Sequence, residues 1–108
     1  MTNAKDELLE IVGGFGIKCG LLKFEDIFRE EENTGFSLRV GHSKSELQAF
    51  LESLNFEYDA GFGSQMLSGI VWLNDGTWLE RGEYDGSEWW EHKKLPNIPA
   101  DLIKEMGV

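Results

Sequence analysis

The chain is short of cysteine, histidine, proline and positive charge, and each shortage closes off a class of function. Cys19 is the one cysteine among 108 residues, so an intrachain disulfide is excluded and a cysteine-built metal site is not expected. The two histidines, His42 and His92, lie far apart in sequence, and no nucleophile-elbow motif accompanies them. Ten Lys and Arg stand against 20 Asp and Glu, a net charge of −10. Phosphate contacts need a basic patch, so this balance argues against direct nucleic-acid binding and for basic partners. No run of 18 apolar residues occurs, so no membrane-spanning helix is expected. The charged, amphipathic start MTNAKDELLE does not read as a signal peptide, which points to the cytoplasm. The two prolines, Pro96 and Pro99, fall together near the end.

Aromatic residues are plentiful, and with 41% hydrophobic residues the chain is set apart from a disordered one. All four tryptophans, Trp72, Trp78, Trp89 and Trp90, sit in LSGIVWLNDGTWLERGEYDGSEWWEHKKL, residues 67–95. Asp75-Gly76 and Asp85-Gly86 divide it into three β-rich runs, 67–73, 77–84 and 87–95. Asp-Gly between such runs is a hairpin signal, because a type I′ turn needs φ > 0 at both central positions. The stretch therefore predicts a three-stranded antiparallel meander. Its first strand, apolar on both faces through Ile70, Trp72, Val71 and Leu73, is expected at the centre of the sheet, with Trp72 buried. The other two strands, around EYDGSEWW, are expected to be partly exposed.

Upstream, AKDELLEIV predicts a helix over 4–12, capped by Asn3 or Thr2 and ended by Gly13-Gly14. FGIKCGLLKF predicts a strand with Ile17, Cys19 and Leu21 on one side, which makes Cys19 a small buried hydrophobe. Phe36, Leu38 and Val40 alternate inward in a strand that pairs with 16–24. Ser43-Lys44-Ser45-Glu46 is a capping box opening a helix over 44–54, with Leu47, Phe50, Leu51 and Leu54 on its apolar face; Asn55 is expected to end it in the left-handed conformation. The connection 56–66 has room for one short strand. Pro99 opens a last helix over 100–106 whose Ala100, Leu102, Ile103 and Met106 are expected to dock on the sheet. Together these predict one α+β domain over 1–108, an antiparallel sheet of about five strands with two to three helices.

Chemistry is thin. The acidic run Glu25, Asp26, Glu30, Glu31, Glu32 lacks the DxDxDG spacing of a calcium loop, so no metal and no cofactor are expected. A carboxylate pair such as Glu80 with Glu83 does acid–base work only where an apolar pocket raises one pKa. The stronger feature is a surface one: acids of the meander interleaved with Trp and Tyr, the mixture of aromatic anchor and charge found at protein interfaces. The candidate protein-binding residues are Glu80, Glu83, Tyr84, Asp85, Glu88, Trp89 and Trp90, with Glu30, Glu31 and Glu32.

Residues 50–99, and most specifically EYDGSEWW at 83–90, resemble small uncharacterised proteins of phages and prophages with a similar DGTW…EYDGSEWW pattern. No catalytic residues come with that resemblance. It implies a phage or mobile-element origin in a bacterial host, where small acidic proteins often bind host proteins as anti-CRISPR or other anti-defence inhibitors. The expected function is therefore non-catalytic inhibition of a host complex by occluding a basic, nucleic-acid-binding surface. The alternatives are a small enzyme or ligand-binding domain with carboxylates in a pocket, and a self-associating protein, such as a homodimer.

Overall fold

The computed structural model describes residues 1–26, 34–61 and 64–102. Glu30, Glu31 and Glu32, and the expected helical positions from Ile103 onward, lie outside these. The elements are β1 (Thr2–Asn3), α1 (Ala4–Val12), β2 (Ile17–Phe24), β3 (Thr34–Leu38), α2 (Lys44–Ser53), β4 (Glu57–Tyr58), β5 (Leu67–Leu73), β6 (Trp78–Tyr84) and β7 (Ser87–Lys93). Five strands form one antiparallel sheet in the order β3-β2-β5-β6-β7, and β1 pairs with β4 beside it. The fold class is thus α+β with an antiparallel sheet, and the meander β5-β6-β7 is part of it. The short β1 pair is an addition that two-residue strands do not announce in sequence.

α1 and α2 cover the same face of the sheet. α1 starts where the Asn3 side chain accepts from the Asp6 amide at 3.0 Å, and buries Ala4, Leu8 and Val12. In α2 the capping box is complete: the Ser43 hydroxyl accepts from the Glu46 amide, and the Glu46 carboxylate accepts from the Ser43 amide. α2 turns Phe50 and Leu54 into a core shared with Leu22, Leu38, Val71, Leu73 and Leu79. Gly20 of β2 lies beneath Phe50, whose ring tip is 3.5 Å from where a Gly20 side chain would begin. Asn55 does not take the left-handed conformation; α2 ends at Leu54 with φ −90° and ψ 2°. Val40 falls beyond β3 and is exposed rather than inward.

Strand parity departs from expectation at one place with consequences. In β2 the register with β5 slips between Ile17 and Cys19, a bulge: Ile17 pairs with Leu73, but Cys19 pairs with Trp72. A bulge inserts a residue and flips the faces beyond it. Ile17 is therefore buried, whereas Cys19 and Leu21 point away from the helices; Leu22 is the inward residue. Two tryptophans also take the faces opposite to those expected. β5 is central as expected, but Val71 and Leu73 take its helix-covered face, and Trp72 is 40% exposed on the other. Trp90 does the reverse: it pairs with Arg81 and is 7% exposed beneath the helices. After Pro99 the chain is helical over 100–102, as expected, with the Leu102 amide donating to Pro99 O, but residues 94–102 are exposed throughout, so Ala100 and Leu102 do not dock on the sheet.

The two Asp-Gly turns differ. At Asp85-Gly86 both φ angles are positive, 52° and 85°, as a type I′ turn requires. At Asp75-Gly76 the glycine alone is left-handed, φ 88°. The Gly76 amide donates to Leu73 O and the Leu73 amide to Thr77 O, a three-residue loop in which Asn74 takes up the extra position.

The α2 cap carries an acid-sensitive contact. Glu46 accepts two hydrogen bonds from Arg39, at 2.9 and 3.0 Å. That guanidinium, then the Ser43 amide, holds its carboxyl at about 2. A carboxyl depressed below its unfolded value stabilises the fold fully above about pH 4.5, the unfolded value, and loses that contribution as pH falls through about 2. Glu46→Gln is therefore expected to flatten the acid side of the stability profile between those limits, read by urea denaturation at a series of pH values. A profile identical to that of the parent would remove Glu46 from the cap.

Candidate protein-binding surface

The ten candidate residues separate into four groups. Glu30, Glu31 and Glu32 lie outside the described residues. Glu88 and Trp90 point inward and are buried, so neither is on the surface for a partner. Glu80 and Trp89 lie on the sheet face that no helix covers among the described residues. Glu83, Tyr84 and Asp85 form the β6–β7 turn, where Tyr84 is 76% exposed.

The burial of Glu88 and Trp90 has a cause that local sequence did not show: Arg81. Its side chain is 1% exposed. Nη2 donates to Glu88 Oε1 at 2.7 Å and to the Tyr58 hydroxyl at 2.8 Å, and Nε donates to Leu67 O at 3.2 Å. Nη1 lies 3.1 Å from Glu7 Oε1 but outside hydrogen-bond geometry. The guanidinium sits over Trp90, 5.0 Å from the ring centroid, a cation–π contact. Glu88 also accepts from the Met66 and Leu67 amides at 2.8 and 3.0 Å. Burial opposes the Arg81 charge, but Glu88, Tyr58 and Glu7 outweigh it and raise its proton affinity. Burial, then the hydrogen bond to Glu7, pushes the Tyr58 hydroxyl well above the ordinary phenol range. The cluster joins α1, β4, β5, β6 and β7; among the described residues, only Arg81 Nη1 and the Trp90 indole nitrogen are buried in it without a hydrogen-bond partner. The signal for it in sequence was slight: Arg81 is the one cation between residues 45 and 92, and it shares a parity with Leu79.

The uncovered sheet face is built in rows. Cross-strand partners run Cys19–Trp72–Trp78–Lys93, and beside them Ser37–Leu21–Ile70–Glu80–Glu91. Trp89 is paired with Gly82 and lies over it: a side chain on Gly82 would begin 2.8 Å from the indole nitrogen. The Trp78 and Trp89 indoles donate to Glu80 and Glu91, two residues on in their own strands, at 2.9 and 3.1 Å. Lys93 ties the two carboxylates, 3.0 Å from Glu80 and 3.7 Å from Glu91. Lys93, then the Trp78 indole, lowers the Glu80 pKa. These contacts fix two tryptophans at the surface before any partner arrives, which reduces the ordering cost of binding.

Strand polarity also sorts charge. β2 ends, β3 and β5 begin, and the β6–β7 turn lies at one end of the sheet. Glu25, Asp26, Glu57, Asp59, Glu83 and Asp85 gather there against Lys23. The opposite end holds Lys18, Arg39, Lys44, Lys93 and Lys94, with Arg39 paired to Glu46, Lys93 to Glu80 and Glu91, and Asp75 nearby. At the acidic end a cavity of about 740 Å³ opens, walled by Phe24, Phe36, Phe56 and Tyr58, with Asp26, Glu57 and Asp59 among its lining residues.

Near the basic end, Asp75, Thr77 and His92 form a chain that superficially suggests nucleophile activation. The Thr77 hydroxyl donates to Asp75 Oδ1 at 2.5 Å, which leaves it to accept from His92 Nε2 at 2.7 Å. In a catalytic triad the histidine accepts the hydroxyl proton and the acid orients the histidine. Here the hydroxyl stands between them with its proton engaged in the hydrogen bond to the acid, so the chain fastens the β5–β6 turn to β7. No group of three His, Cys, Asp or Glu suited to a metal ion is found among the described residues, and no helix among them is long and apolar enough to cross a membrane. Comparison with protein-family models, with curated proteins and with solved structures finds no match to this chain.

Proposed function

We propose that this chain is a non-catalytic binding protein of phage or mobile-element type, which inhibits a bacterial host complex by covering a basic, nucleic-acid-binding surface. The observation that carries this reading is the acidic end of the sheet. It combines six carboxylates with the projecting Tyr84, which stands at the type I′ turn between Glu83 and Asp85. Charge concentrated on one end steers approach to a basic surface more effectively than the same charge spread evenly. Tyr84 supplies an amphipathic anchor of the kind that dominates interface energetics. Of the other meander acids, Glu88 is committed to Arg81, Glu80 and Glu91 share Lys93, and Asp75 is held by Thr77 at the opposite end of the sheet, which leaves Glu83 and Asp85 as the meander's charges at the acidic end with no cation beside them among the described residues. The aromatic-walled cavity at the same end favours a second reading, a site for an apolar ligand carrying positive charge.

The test is affinity capture from a host lysate with the parent chain and with Glu83→Lys/Asp85→Lys. A specific partner is expected at low salt, weakened roughly ten-fold or more by the double reversal, about 1.4 kcal/mol, and released by 0.5 M salt as exposed charges are screened. Nucleic acid should compete for that partner. Recovery of the same partner by the double variant, or of no partner at all, would overturn the reading. Unchanged circular dichroism of the variant separates this from misfolding.

A further inference from the structure

The uncovered sheet face is left unexplained by an acidic-end contact. Leu21 is 63% exposed on it, with Ile70, Trp72, Trp78 and Trp89 alongside. Its charges also differ from those of the rest of the molecule. The register places Lys23, Lys93, Glu80 and Glu91 on this face, two of each sign, within a chain of net charge −10. Two acidic ends repel one another, whereas two copies of this face carry balanced charge.

Shape points the same way. On the β5–β7 side Trp72, Trp78 and Trp89 share the face, each partly exposed. On the β3–β2–β5 side Gly35, Ser68 and Gly69 leave a hollow of about 420 Å³ bordered by Leu21 and Lys23. A two-fold axis lying in the plane between two facing sheets, along the strands, sets each tryptophan row over the other copy's hollow, the self-complementarity an isologous dimer requires. Five strands about 4.8 Å apart and seven residues of about 3.3 Å each give a face of roughly 550 Å² in projection. With side-chain relief this approaches the roughly 800 Å² per partner of a standard interface.

We infer that the uncovered sheet face binds a second copy of this chain, face to face, forming a two-fold dimer that leaves both acidic ends free. The dimer goes beyond the proposed host contact and presents that contact twice.

Sedimentation equilibrium from 5 to 500 µM tests it. The parent is expected to pass from 12.3 kDa to twice that mass, and more readily at 0.5 M than at 0.05 M salt, since screening relieves the mutual repulsion of two acidic chains. Capture of a host partner has the opposite salt dependence, so the two readings fail separately. Leu21→Glu should weaken the dimer at least ten-fold. Gly35→Phe should do the same by filling the hollow, at a position where nothing lies within 4 Å to disturb the fold. A monomer at 500 µM, an assembly larger than a dimer, or a dimer unaffected by both variants would overturn the inference.

Discussion

Glu88→Ala is expected to destabilise the fold by about 3–5 kcal/mol, the cost of removing one partner of a buried ion pair. The loss is a large share of the roughly 5–15 kcal/mol that holds a domain folded. The Glu88 side chain is fully buried, and three donors converge on it: Arg81 Nη2, the Met66 amide and the Leu67 amide. Alanine leaves the guanidinium with Glu7 and Tyr58 and strips two backbone amides of their acceptor, at roughly 1–3 kcal/mol for each buried amide left unpaired. These costs overlap, so they are not summed. Glu88→Gln keeps the shape but offers an NH₂ where every neighbour is a donor, and should cost at least about 2 kcal/mol. Glu83 is the control. It stands directly opposite Glu88 in the β6–β7 ladder but is exposed; Glu83→Ala should fall within about 0.5 kcal/mol of the parent, relief of the like-charge opposition offsetting the lost acceptor for the Gly86 amide. Urea denaturation followed by circular dichroism measures all three. A Glu88→Ala cost under about 1 kcal/mol, that of an exposed ion pair, would show that the buried network is not formed.

This contrast between neighbouring acids shows where sequence reading reaches its limit. Period-2 alternation located β2, β3 and the meander, and Ser43 with Glu46 located α2 to within a residue, because those signals are local. Which face a strand buries is decided elsewhere. β5 offers Val71 and Leu73 on one side and Ile70 and Trp72 on the other, both apolar. The choice follows from the pairing of Val71 with Gly20 under Phe50. Trp90 goes inside because Arg81 lies opposite it, and Arg81 goes inside because Glu7, Tyr58 and Glu88, up to 74 residues away in sequence, meet it there. The bulge at Cys19 leaves no residue-type signature at all, yet it moves Cys19 and Leu21 to the outer face. The acidic, aromatic character of EYDGSEWW was legible; its division into a buried half and an exposed turn was not.

Gly69→Ala is expected to be at least as damaging, for a reason confined to the backbone. Gly69 sits inside β5 at φ 132° and pairs with Leu22. L-residues rarely adopt that conformation, and holding one there costs about 1–3 kcal/mol. A Cβ at this position would also lie 2.2 Å from Leu21 O and 2.8 Å from Leu22 Cα. Both are backbone atoms of β2, so no side-chain rotation relieves the clash. Relief means separating β2 from β5, the seam along which Gly20 to Phe24 pair with Val71 to Leu67, and overpacking of this kind adds about 1–3 kcal/mol or more. A total of roughly 3–5 kcal/mol should lower Tm by at least about 12 °C, taking about 4 °C per kcal/mol for a chain of this size. Gly35→Ala provides the comparison: it lies in the neighbouring β3, with nothing within 4 Å of its would-be Cβ, and should leave Tm within about 2 °C. If Gly69→Ala behaved like Gly35→Ala, the β2–β5 register would be wrong. The outward placement of Cys19, Leu21 and Trp72, and with it the dimer face, would fall too, since all three positions are fixed by that one seam.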